Sequence, residues 1–248
     1  MGKLRLFVDR LSQPSRAVVI FCLANGIDME ENEVDLGKGD HRKPEYKAIN
    51  PMGLVPAIDD DGFYLFESHA ILRYLSSAYP GIADHWYPAD VKKRAQIECI
   101  LDWHHTNLRR GSAGLIVNRV IGPALGRPLD EKAAAECEAL LKASVKKIDA
   151  LWLNESGPFL TGSPEPSIAD LSLACELMQV EFLGEEFKSE LVNPHPKVKH
   201  WLAAVEKALA PHFEDVHQKL KARAVMFQKR KEHGDSHPSS KVAAQSDL

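Results

Sequence analysis

The sequence has few cysteines, and their spacing excludes two common kinds of protein. Cys22, Cys99, Cys137 and Cys175 form no C-x-x-C pair, which excludes zinc ribbons and dithiol redox motifs. Each of the four lies in a helical pattern among apolar neighbours. We therefore predict reduced core cysteines and a reducing compartment for the protein.

Long hydrophobic runs and an excess of one charge are also absent. The longest apolar run, AVVIFCLA at residues 17–24, is far shorter than the roughly 20 residues that span a bilayer. The N-terminal stretch MGKLRLFVDR has no apolar signal region with a cleavage site, so we expect an intracellular protein. The net charge of -4, from 31 basic and 35 acidic residues, gives no overall attraction to nucleic acid or to an anionic membrane, and we expect neither as a partner.

Two halves of different character make up the 248 residues, a length more typical of two domains than of one. Strand and helix patterns alternate in the first half, with strands at 4–8 and 31–36, helices at 15–25 and 68–79, and a hairpin turn at 59–62. This β-α-β order followed by β-β-α implies a small mixed sheet with helices on its faces.

The second half carries helical patterns only. Its apolar residues recur at steps of three and four, the spacing of one helix face. One such series is Ile168, Leu171, Cys175, Met178 and Phe182. We predict an α/β domain over residues 1–83, followed by an all-helical bundle over 89–232. The polar residues 233–248 have no periodicity, and we expect them to be disordered.

Ser12 lies in DRLSQPSR, residues 9–16, between an apolar strand pattern and an apolar helix pattern. A Ser two residues before Pro14, ahead of a helix, is a common N-cap, which is the simpler interpretation. The alternative is a binding role, because anions and substrates bind where a first strand ends at a helix N-terminus. A hydroxyl there, together with the helix amides, lowers the pKa of a bound thiol. No G-x-S-x-G elbow or suitably spaced His/Asp pair accompanies Ser12, so a serine hydrolase is not supported.

Two motifs suit a ligand with carboxylate and ammonium groups. In FESHAI, Ser68 is predicted to be the N-cap of a helix, and Glu67 is predicted to place a favourable negative charge at its first turn. The same pair also suits the carboxylate and the ammonium of an α-amino acid. The loop GDHRKPEY supplies His41 and Arg42, which suit a second carboxylate, although such basic loops are more often only solvated.

Three further motifs have structural interpretations. In MGLVPAI, Pro56 predicts an edge strand, while a cis Val55-Pro56 bond would turn the backbone of Val55 outward to pair with a peptide-like ligand. In SPEPSIADL, Ser167 and Asp170 have the spacing of a capping box, which favours helix stability rather than catalysis. The adjacent histidines at 104–105 lack metal-ligand spacing and predict a helix surface or a structural contact.

These stretches together resemble one family. The theta class of cytosolic glutathione transferases, and above all its plant members, has the order and spacing of SQPSRAV, KGDHRKPEYKAINPMGLVPAI, FESHAILRYL, DHWYPAD, DWHHTNLRRG and PSIADLSL. The resemblance covers about residues 3–232. It implies a thioredoxin-like domain with a mixed four-stranded sheet, an all-helical domain that shapes the second-substrate pocket, and a homodimer.

The resemblance also implies a role for each site residue. Ser12 is expected to be the catalytic hydroxyl that holds the glutathione thiolate. Glu67 and Ser68 are expected to hold the γ-glutamyl ammonium and carboxylate, and Arg109 to lie near the sulfur. The other expected contacts are Gln13 beside Ser12, His41 and Arg42 at the glycyl carboxylate, and Leu54, the Val55 backbone and cis Pro56 at the cysteinyl unit. Because Leu54 replaces a basic residue often found there, we predict weaker glutathione binding.

Three functions compete for these residues. The leading hypothesis is a detoxifying enzyme whose glutathione thiolate attacks a hydrophobic electrophile, or an organic hydroperoxide in a peroxidase reaction, without a metal or further cofactor. The second is a binding module that carries apolar ligands or docks a partner, which Leu54 favours and Ser12, Glu67 and Ser68 oppose. The third, a glutaredoxin-like oxidoreductase, is disfavoured because the serine at position 12 forms no mixed disulfide.

The C-terminal tripeptide SDL bears on localisation. Some plant relatives end in an S-K-L type peroxisomal signal, and Asp247 puts a negative charge where that signal has a base. We therefore expect the cytoplasm, with the peroxisome as the weaker alternative.

Overall fold

The computed structural model describes residues 3–154 and 156–232. The predicted disordered segment at 233–248 lies outside the described residues. The first half comprises β1 (Leu4–Val8), α1 (Gln13–Ala24), β2 (Met29–Glu33), α2 (Pro44–Lys47), β3 (Ala57–Asp60), β4 (Phe63–Phe66) and α3 (Ser68–Ala78).

The four strands form one mixed sheet in the order β2-β1-β3-β4. β1 pairs in parallel with β2, while β3 is antiparallel to both β1 and β4. This arrangement confirms the predicted small mixed sheet, and the β3–β4 hairpin falls where its turn residues predicted it.

β2 begins two residues before the predicted strand at 31–36, and it ends earlier too. Its extent follows its partner, since Leu4 to Val8 of β1 face Met29 to Glu33 in register. The apolar residues that suggested a later strand, Val34 and Leu36, lie just beyond it and pack in a small separate cluster around Phe7. The alternating pattern at 31–36 therefore lies partly in β2 and partly in the loop after it, where Val34 is buried.

The second half has helices as its only regular elements in the described residues, and loops connect them. It comprises α4 (Val91–Thr106), α5 (Leu108–Ile116), α6 (Gly122–Ala124), α7 (Glu131–Lys147), α8 (Ile168–Leu177), α9 (Glu185–Val192), α10 (Pro196–Ala208) and α11 (His212–Glu232), with short 3-10 and π segments between them. α4 and α5 are separated by Asn107, whose φ of -117° and ψ of -87° are not helical. Its backbone amide and its side-chain amide both donate to the Trp103 carbonyl, at 3.2 and 3.0 Å.

α8 is the central helix of the molecule, because all ten of its residues are buried. The predicted capping box at its start is confirmed: the Ser167 hydroxyl accepts from the Asp170 amide, and the Asp170 carboxylate accepts from the Ser167 amide. Asp170 also accepts from the indole nitrogen of Trp201 at 2.8 Å. α8 and α1 belong to one continuous hydrophobic core, so the sheet half and the helical half pack tightly together.

The predicted core position is correct for Cys22 and Cys175, partly correct for Cys137 and wrong for Cys99. Cys22 and Cys175 are buried, Cys137 is half-buried, and Cys99 is exposed; all four are free thiols. α4 buries Ile97, Ile100, Leu101 and His104, and Cys99 lies on its opposite, solvent-facing side. No described helix is long and apolar enough to cross a membrane.

Candidate active site

A cleft opens where the sheet half meets the helical half. The first half contributes Pro14, Ala17, Asn50, Leu54, Val55, Pro56, Glu67, Ser68 and His69, and the second half His104, His105, Arg109, Ser172 and Glu176. A pocket at such a junction, with a few converging polar groups, is the usual form of a binding site.

The cleft brings together six of the predicted site residues: Leu54, Val55, Pro56, Glu67, Ser68 and Arg109. Gln13 is buried and reaches the cleft through a hydrogen bond to Glu176, which lines it. Ser12, His41 and Arg42 are not among the lining residues. Ser12 nevertheless stands only two residues before Pro14 in the wall.

Ser12 is the residue before α1, in an extended conformation and half-buried. Its backbone carbonyl accepts from the Arg16 amide at 3.1 Å, as that of an N-cap residue does. Its hydroxyl makes no capping hydrogen bond. The simpler interpretation of Ser12 as a side-chain cap is therefore wrong, and the hydroxyl remains available at a helix N-terminus, where anions are stabilised.

The loop before Ser12 is held by Arg16, whose side chain is completely buried. One guanidinium nitrogen donates to the carbonyls of Arg10 and Leu11, both at 3.0 Å. The other donates to the Cys175 carbonyl at 3.0 Å and to the side chain of Gln179 at 2.9 Å. Burial lowers the pKa of Arg16 to about 10, so the guanidinium remains charged at neutral pH and ties the Ser12 loop to α8.

The Val55-Pro56 bond is cis, as the family resemblance implied. The preceding carbonyl, of Leu54, accepts from the Tyr46 hydroxyl at 2.5 Å and from the Asn50 amide at 2.7 Å. These two bonds fix the backbone just before Val55, next to β3. The Leu54 side chain is 56% exposed at the cleft.

Glu67 joins β4 to α3 with an unusual backbone, φ 71° and ψ 110°. A positive φ is rare for a residue other than glycine and clusters at functional sites. Glu67, not Ser68, is the N-cap, which corrects the sequence interpretation; Ser68 is the first residue of α3 and is buried. Because no side chain caps α3, its first amides can receive a ligand carboxylate.

Glu176 is fully buried, lines the cleft and has three polar side chains next to its carboxylate. Its carboxylate accepts from Gln13 at 3.0 Å and from Arg109 at 3.1 Å. The Nε2 atom of His104 is 3.5 Å away. Burial alone would raise the pKa of Glu176, but the contact with His104 and the charge of Arg109 outweigh it, so the pKa is lowered and the group is a carboxylate.

A pair of buried histidines continues this network into the first half. The Nδ1 atom of His104 lies 3.2 Å from the Nε2 atom of His69. Burial, and then the proximity of His104 and His105, lowers the pKa of His69 to about 2, so it is neutral. The prediction of a structural contact is confirmed for His104, whereas His105 is exposed at the cleft. In the described part of the chain, no group of three or more His, Cys, Asp or Glu is arranged to hold a metal.

His41 and Arg42 lie in a short 3-10 helix, Asp40–Arg42, that has no buried residues. The segment approaches the cleft through its backbone, since a Cβ at Gly53 would come within 3.0 Å of the His41 carbonyl oxygen. Their proposed contact with a ligand carboxylate stays a prediction.

Sequence reasoning missed several residues of the cleft, chiefly Asn50, His69, Ser172 and Glu176. One signal could have pointed to Glu176: unlike Asp170, it has no capping-box position, yet it is an acidic residue within the buried apolar pattern of α8, and buried carboxylates have partners. His69 had no such signal, because its partner is 35 residues away in sequence.

Comparisons with known proteins agree with this geometry. Residues 3–77 match the family described as Glutathione S-transferase, N-terminal domain, and residues 131–204 match Glutathione S-transferase, C-terminal domain. Glutathione S-transferase T1 of Arabidopsis thaliana is 54% identical over 234 residues, 94% of this chain and 96% of that protein. Glutathione S-transferase T2 of Arabidopsis thaliana is 51% identical over 243 residues, 97% of this chain, but the chain spans only 41% of that protein.

A solved structure shares the whole architecture. A human theta-class glutathione transferase, in complex with the glutathione conjugate of 1-menaphthyl sulfate, superposes with a TM-score of 0.83 at 35% identity, covering 93% of this chain and 92% of that one. The chain belongs to the glutathione S-transferase family. Its relatives place it in the theta class, with plant members among them, and it has that family's thioredoxin-like N-terminal domain and helical C-terminal domain.

Proposed function

We propose that this chain binds glutathione and that the Ser12 hydroxyl donates a hydrogen bond to its sulfur, which holds the sulfur as a thiolate. The observation that carries the proposal is the Ser12 hydroxyl, which is free of any capping bond at the N-terminus of α1. A hydroxyl donor and the positive end of a helix both stabilise the charged form of a thiol. The human relative named above carries a glutathione conjugate in the same fold, which supports glutathione as the ligand.

The rest of the cleft matches the groups of glutathione. The Glu67 carboxylate suits the γ-glutamyl ammonium, and Ser68 with the uncapped start of α3 suits the neighbouring carboxylate. The Val55 backbone, next to cis Pro56 in the cleft lining, suits the peptide groups of the cysteinyl unit. His41 and Arg42 are the proposed partners of the glycyl carboxylate.

Two reactions follow from a bound thiolate. In conjugation, the sulfur attacks a hydrophobic electrophile and forms a carbon–sulfur bond, while the leaving group departs with its electron pair. With an organic hydroperoxide, the sulfur takes the terminal OH to give glutathione sulfenic acid, and the alkoxide leaves and is protonated to the alcohol. A second glutathione then condenses with the sulfenic acid, giving the disulfide and water. Both reactions are detoxifying.

We also propose that the protein is a homodimer of the cytoplasm. The edge strand β4 exposes Phe63 and Tyr64, 48% and 47% accessible, and aromatic residues on an exposed edge favour association. Phe63→Glu should therefore give monomers in light scattering, while Leu151→Glu, at another exposed apolar site, should leave dimers. The four free thiols suit a reducing compartment.

Turnover tests the proposal against its competitor, a binding module without catalysis, which the exposed Leu54 at the cleft favours. Glutathione-dependent rates are measured with an aryl halide and with an organic hydroperoxide for the wild type, Ser12→Ala and Ser15→Ala. Ser15 lies on the same helix, and its buried hydroxyl has no partner. We expect a loss of about 100-fold for Ser12→Ala only. Equal rates for wild type and Ser12→Ala would contradict the proposal, and an inactive wild type that binds glutathione would favour the binding module.

A further inference from the structure

The two carboxylate oxygens of Glu176 accept hydrogen bonds from two different elements, one at the start of α1 and one that lines the cleft. One oxygen accepts from Gln13, the residue after Ser12, and the other accepts from Arg109 on α5. Gln13 and Glu176 are both buried, whereas the Arg109 side chain is 35% exposed and lines the cleft. The buried carboxylate is therefore the fixed end of the contact, and Arg109 is the end that can move.

Stability alone is a poor explanation for this carboxylate. Burying a charge costs several kcal/mol, and buried ion pairs replaced by packed apolar residues are often no less stable. Asp170, the other buried carboxylate of α8, has a stabilising role that is evident from its bonds to Ser167, Leu160 and Trp201. Glu176 has no comparable capping role, and its partners lead to the cleft instead.

An arginine without an anchor would sample many positions in an open cleft, because its side chain is long and flexible. The bond to Glu176 at 3.1 Å removes that freedom before a ligand arrives. We propose that Glu176 is a positioning residue, which holds the Arg109 guanidinium toward the glutathione sulfur and Gln13 beside Ser12. This inference rests on the proposed binding of glutathione with its sulfur at Ser12.

The two possible roles of Glu176 predict different directions for the pKa of the bound thiol when Glu176 is removed. A negative charge near a thiolate disfavours it, so removing Glu176 as a mere charge would lower the pKa of the bound thiol. Removing Glu176 as an anchor frees Arg109 and takes its positive charge away from the sulfur, which raises that pKa. Positioning and simple electrostatics therefore predict opposite changes.

The test measures the pKa of enzyme-bound glutathione from thiolate absorbance against pH, in the wild type, Glu176→Gln, Arg109→Ala and the double variant. Gln keeps the shape of Glu176 but loses its charge. Glu176→Asp is the second variant, because it keeps the charge and withdraws it by one methylene group. Asp170→Asn is the matched control, since it changes a buried carboxylate of the same helix whose partners do not line the cleft. Circular dichroism and thermal melting check that each variant is folded.

We expect Glu176→Gln and Glu176→Asp each to raise the pKa of the bound thiol by about one, which lowers the thiolate fraction about tenfold at a pH below that pKa. The effect of Glu176→Gln should vanish in the Arg109→Ala background, because the anchored group is gone. Asp170→Asn should melt earlier with an unchanged thiol pKa.

A lowered or unchanged pKa in Glu176→Gln, or a wild-type value in Glu176→Asp, would overturn the inference while the proposed function stands. The same holds if Glu176→Gln has its full effect without Arg109. A wild type that binds glutathione without lowering its thiol pKa would instead overturn the proposed function, and the inference with it.

Discussion

The guanidinium of Arg16 donates to the carbonyl of Leu11 at 3.0 Å, one residue before Ser12. The Arg16 side chain that makes this bond is completely buried. It means that the residue proposed to activate glutathione is presented by a loop anchored to a charged group in the core, rather than by a free surface loop. The position of the Ser12 hydroxyl therefore depends on the packing of α1 against α8.

Arg16→Met should destabilise the protein strongly. The variant removes the Arg16 donor from the carbonyls of Arg10, Leu11 and Cys175, and hydrogen bonds from a charged group contribute about 1.5–3 kcal/mol each. We expect a loss of about 3–5 kcal/mol in the free energy of unfolding, measured by urea denaturation. Arg127→Ala, at an exposed arginine, is the control. A loss below 1 kcal/mol for Arg16→Met would contradict the anchoring role.

His217 should make folding sensitive to acid. It is completely buried, and burial followed by the charge of Arg16 lowers its pKa to about 3. In the unfolded chain its pKa is about 6.5. Between these two values the unfolded chain carries the proton and the folded chain does not, so stability falls as the pH is lowered through this window.

The expected cost at His217 approaches about 1.4 kcal/mol for each pH unit well below 6.5, and it is about 1 kcal/mol between pH 6.5 and 5.5. His217→Asn should reduce the difference in unfolding free energy between pH 6.5 and 5.5 by about this amount. His200→Asn changes an exposed histidine and should leave the difference as it is in the wild type. If the His217 variant kept the wild-type pH dependence, this histidine would titrate freely in the folded protein.

Leu54→Lys should strengthen glutathione binding. The Leu54 side chain is exposed at the cleft, where the family often has a basic residue, and an added ammonium can pair with a carboxylate of the ligand. Exposed ion pairs contribute about 0.2–1 kcal/mol, so the Kd for glutathione in calorimetry should fall by a factor of about 1.4 to 5. Met52→Lys adds the same charge at an exposed position outside the cleft lining. An equal gain in both variants would indicate a general charge effect rather than a contact at position 54.

Local signals predicted much of the fold. The capping box at Ser167 and Asp170 and the hairpin turn before Phe63 involve residues close in sequence, and both formed where they were expected. The extent of β2 was misjudged because its partner β1 sets it.

The same distinction between local signals and distant contacts applies to the candidate site. Glu67 and Ser68 could be named from one short motif, but the positive φ of Glu67 has no signature in its residue type. The contact between Gln13 and Glu176 spans 163 residues of sequence, and single-sequence patterns carry no information at that distance. Such contacts appear only once α1 and α8 are packed together.

The most direct test of the account is the pKa of the glutathione thiol bound to the wild type and to Ser12→Ala, followed by ultraviolet thiolate absorbance as the pH is raised. The pKa of a free thiol of this kind is about 8.5. We predict that the wild type lowers the thiol pKa by at least about one and that Ser12→Ala returns it toward the free value, with glutathione still bound to both. Two superposable titration curves, with binding retained, would show that the Ser12 hydroxyl does not hold the thiolate.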